Sequence, residues 1–245
     1  MSYIEKILQG DTKTIARTIS LIENETDGYK ELLKSLPQQP IPIIGITGPP
    51  GAGKSTITDL LIGSLKKDEK RISVLCIDPS SPFSRGALLG DRVRMNKWYI
   101  DPDVFIRSFA TRGSLGGLHP KITDITALIK ATPTDYIIIE TVGVGQSEVE
   151  IAMLADLTVV VLVPEAGDDI QVMKAGLMEI ADIFVVNKCD RPGADQFIMN
   201  LEMMRKYSAT EKDIPLIKMT ATERKGIEEL VSAIKRKLIQ KGKKR

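Results

Sequence analysis

The chain has 245 residues, 42% of them hydrophobic, and a formal net charge of +2. That length suits one large domain or one domain with an appendage, with enough apolar residues for a sizeable core. The balanced charge argues for neither a nucleic-acid nor a membrane-surface partner, and two cysteines far apart, Cys76 and Cys189, exclude a disulfide framework or Cys-based metal site and suggest a reducing, cytoplasmic setting.

The first stretch, Met1 to Asp11, mixes charges with apolar residues and has no signal-peptide core. No apolar run approaches membrane-spanning length. Ile4, Ile7, Leu8, Ile15, Ile19 and Ile22 recur at near-helical spacing, which predicts one amphipathic helix over 3–24. Tyr29 to Leu36 predicts a second, shorter helix. Pro37, Pro40 and Pro42 then break the pattern. Residues 1–40 are therefore expected to be a helical extension packed on a core domain over 41–245.

The apolar run 41–47 reads as a strand. It leads into Gly48, Pro49, Pro50, Gly51, Ala52, Gly53, Lys54, Ser55 and Thr56, followed by a helix over 54–67. Gly, four residues, Gly, Lys, Ser/Thr between a strand and a helix is the pattern of a phosphate-binding loop. Glycines let the backbone wrap a polyphosphate with N–H groups inward, and the helix N-terminus adds partial positive charge. Lys54 is expected to reach the β- and γ-phosphates, and Ser55 to offer its hydroxyl to Mg²⁺.

From there strands and helices alternate. Strands are expected at 41–47, 72–77, 104–108, 135–140, 157–163, 182–187 and 214–218. Helices are expected near 54–67, 86–98, 121–131, 147–155, 170–180, 194–207 and 225–240. The alternation predicts an α/β fold, a mostly parallel central sheet flanked by helices, with ligands at the carboxyl ends of the strands.

The chemistry-bearing segments fall just after strands. Asp78 follows the second strand, where a carboxylate can hold Mg²⁺ directly or through water; Asp91 is a second acidic candidate. Glu140 ends the fourth strand and Gly143 follows three positions later. That is the form of a metal-orienting carboxylate and a γ-phosphate-sensing amide. Gln146, in the same loop, is a candidate for positioning water. Asn187, Lys188, Cys189 and Asp190 match the Asn-Lys-x-Asp guanine-reading pattern. The Asp190 carboxylate can accept two hydrogen bonds from guanine, and adenine offers no matching donors. Asn187 is expected to brace the loop, and Lys188 to cover the base. Thr220, Ala221 and Thr222 are placed to give a backbone N–H to the guanine carbonyl. The nucleotide expected is GTP or GDP. His119 reads as a surface or capping residue, and Met199, Met203 and Met204 as core. Arg85, Arg92, Arg94, Arg107 and Arg112 are candidates for reaching phosphates or an acidic partner.

The segments GITGPPGAGKST, DPSSPFSRGALLGDRVRM, ATRGSLGGL, ETVGVGQSE, GDDIQVMKAGLMEIADIFVVNKCD and RPGAD together resemble the MeaB/ArgK group of P-loop GTPases. The resemblance implies a G-protein chaperone that gates adenosylcobalamin delivery from an adenosyltransferase to an acyl-CoA mutase, methylmalonyl-CoA mutase above all. It makes Asp78 and Asp91 the acidic residues of a first switch and Glu140 that of a second. It makes the loop with Asp168 and Lys174 a third switch that relays nucleotide state to the mutase. Arg85 and Glu165 depart from residues common in the group. Many relatives continue into a C-terminal arm that builds a homodimer; this chain stops after one helix, which argues against the arm-built form. An older family label implies the alternative of an ATP-dependent kinase acting on periplasmic amino-acid-binding transport proteins.

Overall fold

Uncharged runs rich in β-branched residues occupy Ile43–Thr47, Leu157–Leu162 and Ile183–Val186, and every residue in these runs is buried. A strand buried on both faces cannot alternate polar with apolar, which is the signature of a parallel sheet covered by helices on each side. The computed structural model describes residues 1–78, 95–110, 118–141, 143, 147–164, 176–207 and 213–242. In chain order the elements are α1 (Tyr3–Leu8), α2 (Thr12–Glu23), α3 (Tyr29–Ser35), β1 (Ile43–Thr47), α4 (Lys54–Lys67), β2 (Ile72–Asp78), β3 (Val104–Ala110), α5 (Ile122–Lys130), β4 (Tyr136–Glu140), α6 (Ser147–Leu154), β5 (Leu157–Leu162), α7 (Leu177–Ile180), β6 (Ile183–Val186), α8 (Ala194–Tyr207), β7 (Leu216–Lys218) and α9 (Ile227–Gly242). The strands form one seven-stranded sheet in the order β3-β2-β4-β1-β5-β6-β7. Every pairing is parallel.

The expected alternation is what folds, with strand ends shifted by a residue or two. The predicted helix over 86–98 falls mostly outside the described residues; its described end is a short 3-10 turn, Asn96–Trp98. Only the last turn of the predicted helix over 170–180 lies within them, as α7.

The single helix expected over 3–24 is two helices. Gly10 adopts φ +83°, a left-handed geometry that stops α1. Asp11 then starts α2 by accepting the Thr14 N–H at 2.7 Å. Apolar spacing runs through this break because both helices bury the same side, so periodicity alone conceals it.

Alternate residues of each central strand feed opposite layers. Ile72, Val74 and Cys76 of β2 pack with α4 and α9, while Leu75 and Ile77 pack with α2 and α5. The N-terminal helices share that second layer: Ile7, Ile15, Ile19 and Ile22 cluster with Ile125, Ile129, Ile137 and Ile139. A third cluster joins β5 and β6 to α7 and α8. At the amino ends of the strands, aspartates satisfy the entering backbone. Asp156 accepts from Ile43 N–H at 2.8 Å and Asp182 from Thr158 N–H at 2.9 Å. The opposite ends, where β1, β2, β4 and β6 finish, carry the site.

Candidate nucleotide site at the carboxyl ends of the strands

The loop between β1 and α4 is shaped by glycine. Gly48 has φ +137°, and a side-chain carbon there would lie 1.9 Å from the Val161 carbonyl oxygen. The chain can cross β5 this closely only without a side chain. Lys54 opens α4 and is 6% exposed. Its Nζ donates to the Gly48 carbonyl at 2.8 Å and the Pro49 carbonyl at 3.0 Å. The ammonium is thus folded over the loop it serves, within a cradle of backbone.

Glu140 ends β4 in register with Ile46 of β1 and Cys76 of β2. Its carboxylate is buried, 3% exposed, and points to α4. Ser55 Oγ donates to Oε1 at 2.6 Å and Thr58 Oγ1 to Oε2 at 2.7 Å. A buried carboxylate needs such donors, and these two come from successive turns of one helix face. Asp78, also buried, ends β2 two residues past Cys76, which puts it on the same side of the sheet as Glu140. Ser55, Glu140 and Asp78 make an all-oxygen donor set, the kind a hard cation such as Mg²⁺ takes. Gly143 follows Glu140 with φ +81°; a carbon added there would lie 1.6 Å from Gly48 O and 2.9 Å from Lys54 Nζ. Its backbone therefore lies against the phosphate loop. Thr141 Oγ1 donates to Thr47 Oγ1 at 2.9 Å, pinning the start of that segment to β1.

Asn187 follows β6 and is 3% exposed. Its Nδ2 donates to Ala52 O at 2.8 Å, and its Oδ1 accepts from Ala221 N at 3.1 Å. One amide thus ties the phosphate loop to the loop after β7. Gly53 leaves room for that bridge, since a side-chain carbon on it would lie 2.4 Å from Asn187 Nδ2. Lys188 turns the chain with φ +59°, and Cys189 N donates to Met219 O at 3.0 Å. Asp190 comes next and is exposed. Burial pushes the Cys189 thiol above its ordinary range. Thr220 N donates to Lys225 O at 3.2 Å, so the amides of Thr220 and Ala221 are both engaged.

The structure therefore brings Gly48, Pro49, Pro50, Gly51, Ala52, Gly53, Lys54, Ser55, Thr56, Asp78, Glu140, Gly143, Asn187, Lys188, Asp190, Thr220, Ala221 and Thr222 to one end of the sheet. Asp91, Gln146, Asp168 and Lys174 lie outside the described residues, as do Arg85, Arg92, Arg94, Arg112 and Glu165. Arg107 does not face the phosphate loop: its guanidinium sits 3.6 Å from Glu23 of α2. His119 accepts the Lys121 N–H at 3.2 Å in the turn before α5, and it is buried beside Phe109 and not on the surface. Met199 and Met203 are 56% and 47% exposed, so the expectation of core packing fails for them. Phe197, Ile198 and Leu201 take the inner face of α8 instead. Sequence reading passed over Thr58, Thr47 and Thr141. Thr58 carried one usable signal, its position a helical turn beyond Ser55.

Residues 15–243 match the family described as Methylmalonyl Co-A mutase-associated GTPase MeaB. A GTPase-named protein of Pyrococcus abyssi is 48% identical over 241 residues, covering 95% of this chain and 74% of that one. GTPase ArgK of Escherichia coli is 34% identical, covering 94% of this chain and 73% of its own. A fused isobutyryl-CoA mutase of Geobacillus kaustophilus is 37% identical over 205 residues, 78% of this chain and 19% of that protein. Among solved structures, a LAO/AO transport system kinase superposes with a TM-score of 0.74 at 27% identity, covering 98% of this chain and 76% of that one. The hydrogenase maturation factor HypB of Archaeoglobus fulgidus superposes at 0.62 with 19% identity, covering 91% of this chain and 99% of that one, a likeness of fold alone.

Proposed function

The chain belongs to the MeaB family of mutase-associated P-loop GTPases, and from that premise we propose a Mg²⁺-dependent GTPase that gates adenosylcobalamin loading and protection of a cobalamin-dependent acyl-CoA mutase. The observation that carries the nucleotide reading is the Asn187 bridge. It holds the phosphate loop and the Thr220–Thr222 segment at a fixed separation, as one molecule with a polyphosphate at one end and a base at the other requires.

On binding, the Lys54 ammonium exchanges the Gly48 and Pro49 carbonyls for phosphate oxygens. The Gly143 N–H, pressed against the loop, donates to the γ-phosphate. Asp190 accepts from guanine, and with its two neighbours engaged the Thr222 amide is the donor for the guanine carbonyl. Ser55, Glu140 and Asp78 would hold Mg²⁺, which would supply charge neutralisation for the phosphates. Gln146 orients the attacking water. Catalysis is then chiefly positioning and charge stabilisation.

Hydrolysis would remove the γ-phosphate contact that holds Gly143, and the change would pass to the partner through the segments containing Asp91, Asp168 and Lys174. Support for a mutase partner comes from the family description and from a related stretch within a fused mutase. A cobalamin adenosyltransferase as second partner and a cytoplasmic setting belong to the same proposal. Two assays test it. GTP turnover with Mg²⁺ should fall to background in Lys54→Ala, and a mutase should co-purify differently under GDP and a non-hydrolysable GTP analogue. Turnover in Lys54→Ala equal to the parent's sinks the hydrolysis reading.

The name of the kinase structure favours a second reading, phosphoryl transfer from ATP to a transport protein. Labelled phosphate appearing on an amino-acid-binding protein, with ATP preferred to GTP, would select it.

A further inference from the structure

We propose that Thr58 is a positioning residue that fixes the orientation of the Glu140 carboxylate and so sets the affinity of the site for its divalent cation. The inference rests on the reading of the site as a Mg²⁺–guanine-nucleotide site. Thr58 has 0% exposure and lies one turn into α4, behind the residues that line the phosphate loop. Its Oγ1 is 2.7 Å from Glu140 Oε2 and 3.0 Å from the Lys54 carbonyl oxygen. A hydroxyl has one proton to donate. The carboxylate is the nearer and the charged acceptor, so the proton goes to Glu140 rather than back to the helix.

The consequence is a division between the two carboxylate oxygens. Oε2 is tied into the protein by a side chain with no access to solvent. Oε1 faces Ser55, the loop hydroxyl, at 2.6 Å. Ser55 can keep donating its proton to Oε1 while its lone pairs turn to a cation. Thr58 meets the other oxygen and stays behind the site. With Oε2 anchored, rotation of the carboxylate about its terminal torsion is restricted, and Oε1 is held toward Ser55, where it would meet a cation. The branched Cβ of threonine stiffens χ1, so the anchor itself has little freedom. Groups that orient a metal ligand from behind typically change metal affinity by about 10–100-fold when removed.

Thr58→Val keeps the branched shape and removes the hydroxyl; Thr58→Ser keeps the hydroxyl. With the protein saturated in GDP, Mg²⁺ or Mn²⁺ affinity is measured by calorimetric titration, and GDP affinity is measured separately in EDTA. The expected result is at least a tenfold loss of metal affinity in Thr58→Val, with GDP affinity in EDTA within about twofold of the parent, and recovery in Thr58→Ser. A merely structural role lowers both affinities together and overturns the proposal, as does metal binding in Thr58→Val within twofold of the parent's. If Thr58→Val does not fold, a crystal structure of the parent with GDP and Mg²⁺ decides. The Thr58–Glu140 contact is expected to persist there, and a separation beyond about 3.5 Å overturns the proposal. A parent that binds no guanine nucleotide at all instead removes the functional reading beneath it.

Discussion

Gly143 and Gly48 touch backbone to backbone across the site. A single carbon added to Gly143 would lie 1.6 Å from the Gly48 carbonyl oxygen, the same oxygen that holds the Lys54 ammonium. Gly143 therefore cannot come closer to the phosphate loop unless Gly48 gives way. Whatever displaces the Lys54 ammonium from Gly48 changes the surface against which Gly143 rests.

Gly143→Ala is expected to cost more than its size suggests. The alanine needs φ near +81° and a shift of about an ångström or more in one backbone segment. GTP turnover should fall about 10²–10³-fold through displacement of the amide donor, with a smaller loss of GDP affinity. Parallel measurement of turnover, GDP affinity and affinity for a non-hydrolysable GTP analogue checks it. Equal loss of GDP affinity would count against a γ-phosphate role.

Asn187→Ala removes both halves of one bridge. It leaves Ala52 O and Ala221 N, both in buried residues, without their partner. An unmet buried polar group costs about 1–3 kcal/mol. Thermal unfolding should shift down by several degrees, and GDP affinity should fall at least about tenfold, since the two loops lose their fixed spacing. Asn187→Asp should behave as badly, because a carboxylate cannot donate to Ala52 O.

Asp190→Asn tests base recognition apart from stability. Asp190 is exposed, so the fold should be unchanged. The amide replaces one acceptor by a donor and no longer matches the two adjacent N–H groups of guanine. It should match xanthine, which carries a carbonyl in place of the amine. Competition between GDP and xanthosine diphosphate is expected to reverse in favour of the latter by about 10²-fold or more.

The ion pairs at the far end of α4 give a pH dependence. Lys66 Nζ lies 2.6 Å from Asp103 and 2.9 Å from Asp101. The Asp103 contact, chiefly, raises Lys66 above its ordinary 10.5, and Lys66 lowers Asp103 below its ordinary 3.8. The depressed carboxylate stabilises the fold above pH 3.8 and loses that contribution as pH falls further. The raised ammonium stabilises it below pH 10.5 and loses that contribution as pH rises through the higher folded value. Asp103 is more than a third exposed, so each effect is worth less than about 1 kcal/mol. Lys66→Met should lower stability slightly at neutral pH and flatten both the acid and the alkaline limbs. Denaturant unfolding from pH 3 to 11 measures this, and limbs unchanged from the parent would remove the assignment.

Much of the fold and of the site is legible in the sequence. The run from Ile43 to Thr47 followed by the glycines and Lys54 predicted strand, loop and helix together, because each rests on neighbours in sequence. The guanine pattern at Asn187 to Asp190 was legible for the same reason. The break at Gly10 was not, since α1 and α2 bury the same side and apolar spacing continues through it. Met199 and Met203 misled because methionine is apolar but unbranched and adaptable, so it tolerates an outer helix face when Phe197, Ile198 and Leu201 take the inner one.

Local order determined which residues could bind a phosphate, a cation or a base. Tertiary structure alone decided which of them meet. Glu140 finds Ser55 and Thr58 only because β4 pairs with β1 and so lands beneath α4, and Asn187 spans two loops only because β6 lies beside β7 on one side and is joined to β1 through β5 on the other. A hydrogen bond reaches about 3 Å, whereas these partners are separated by long stretches of chain. Only the closing of the sheet brings them within that distance.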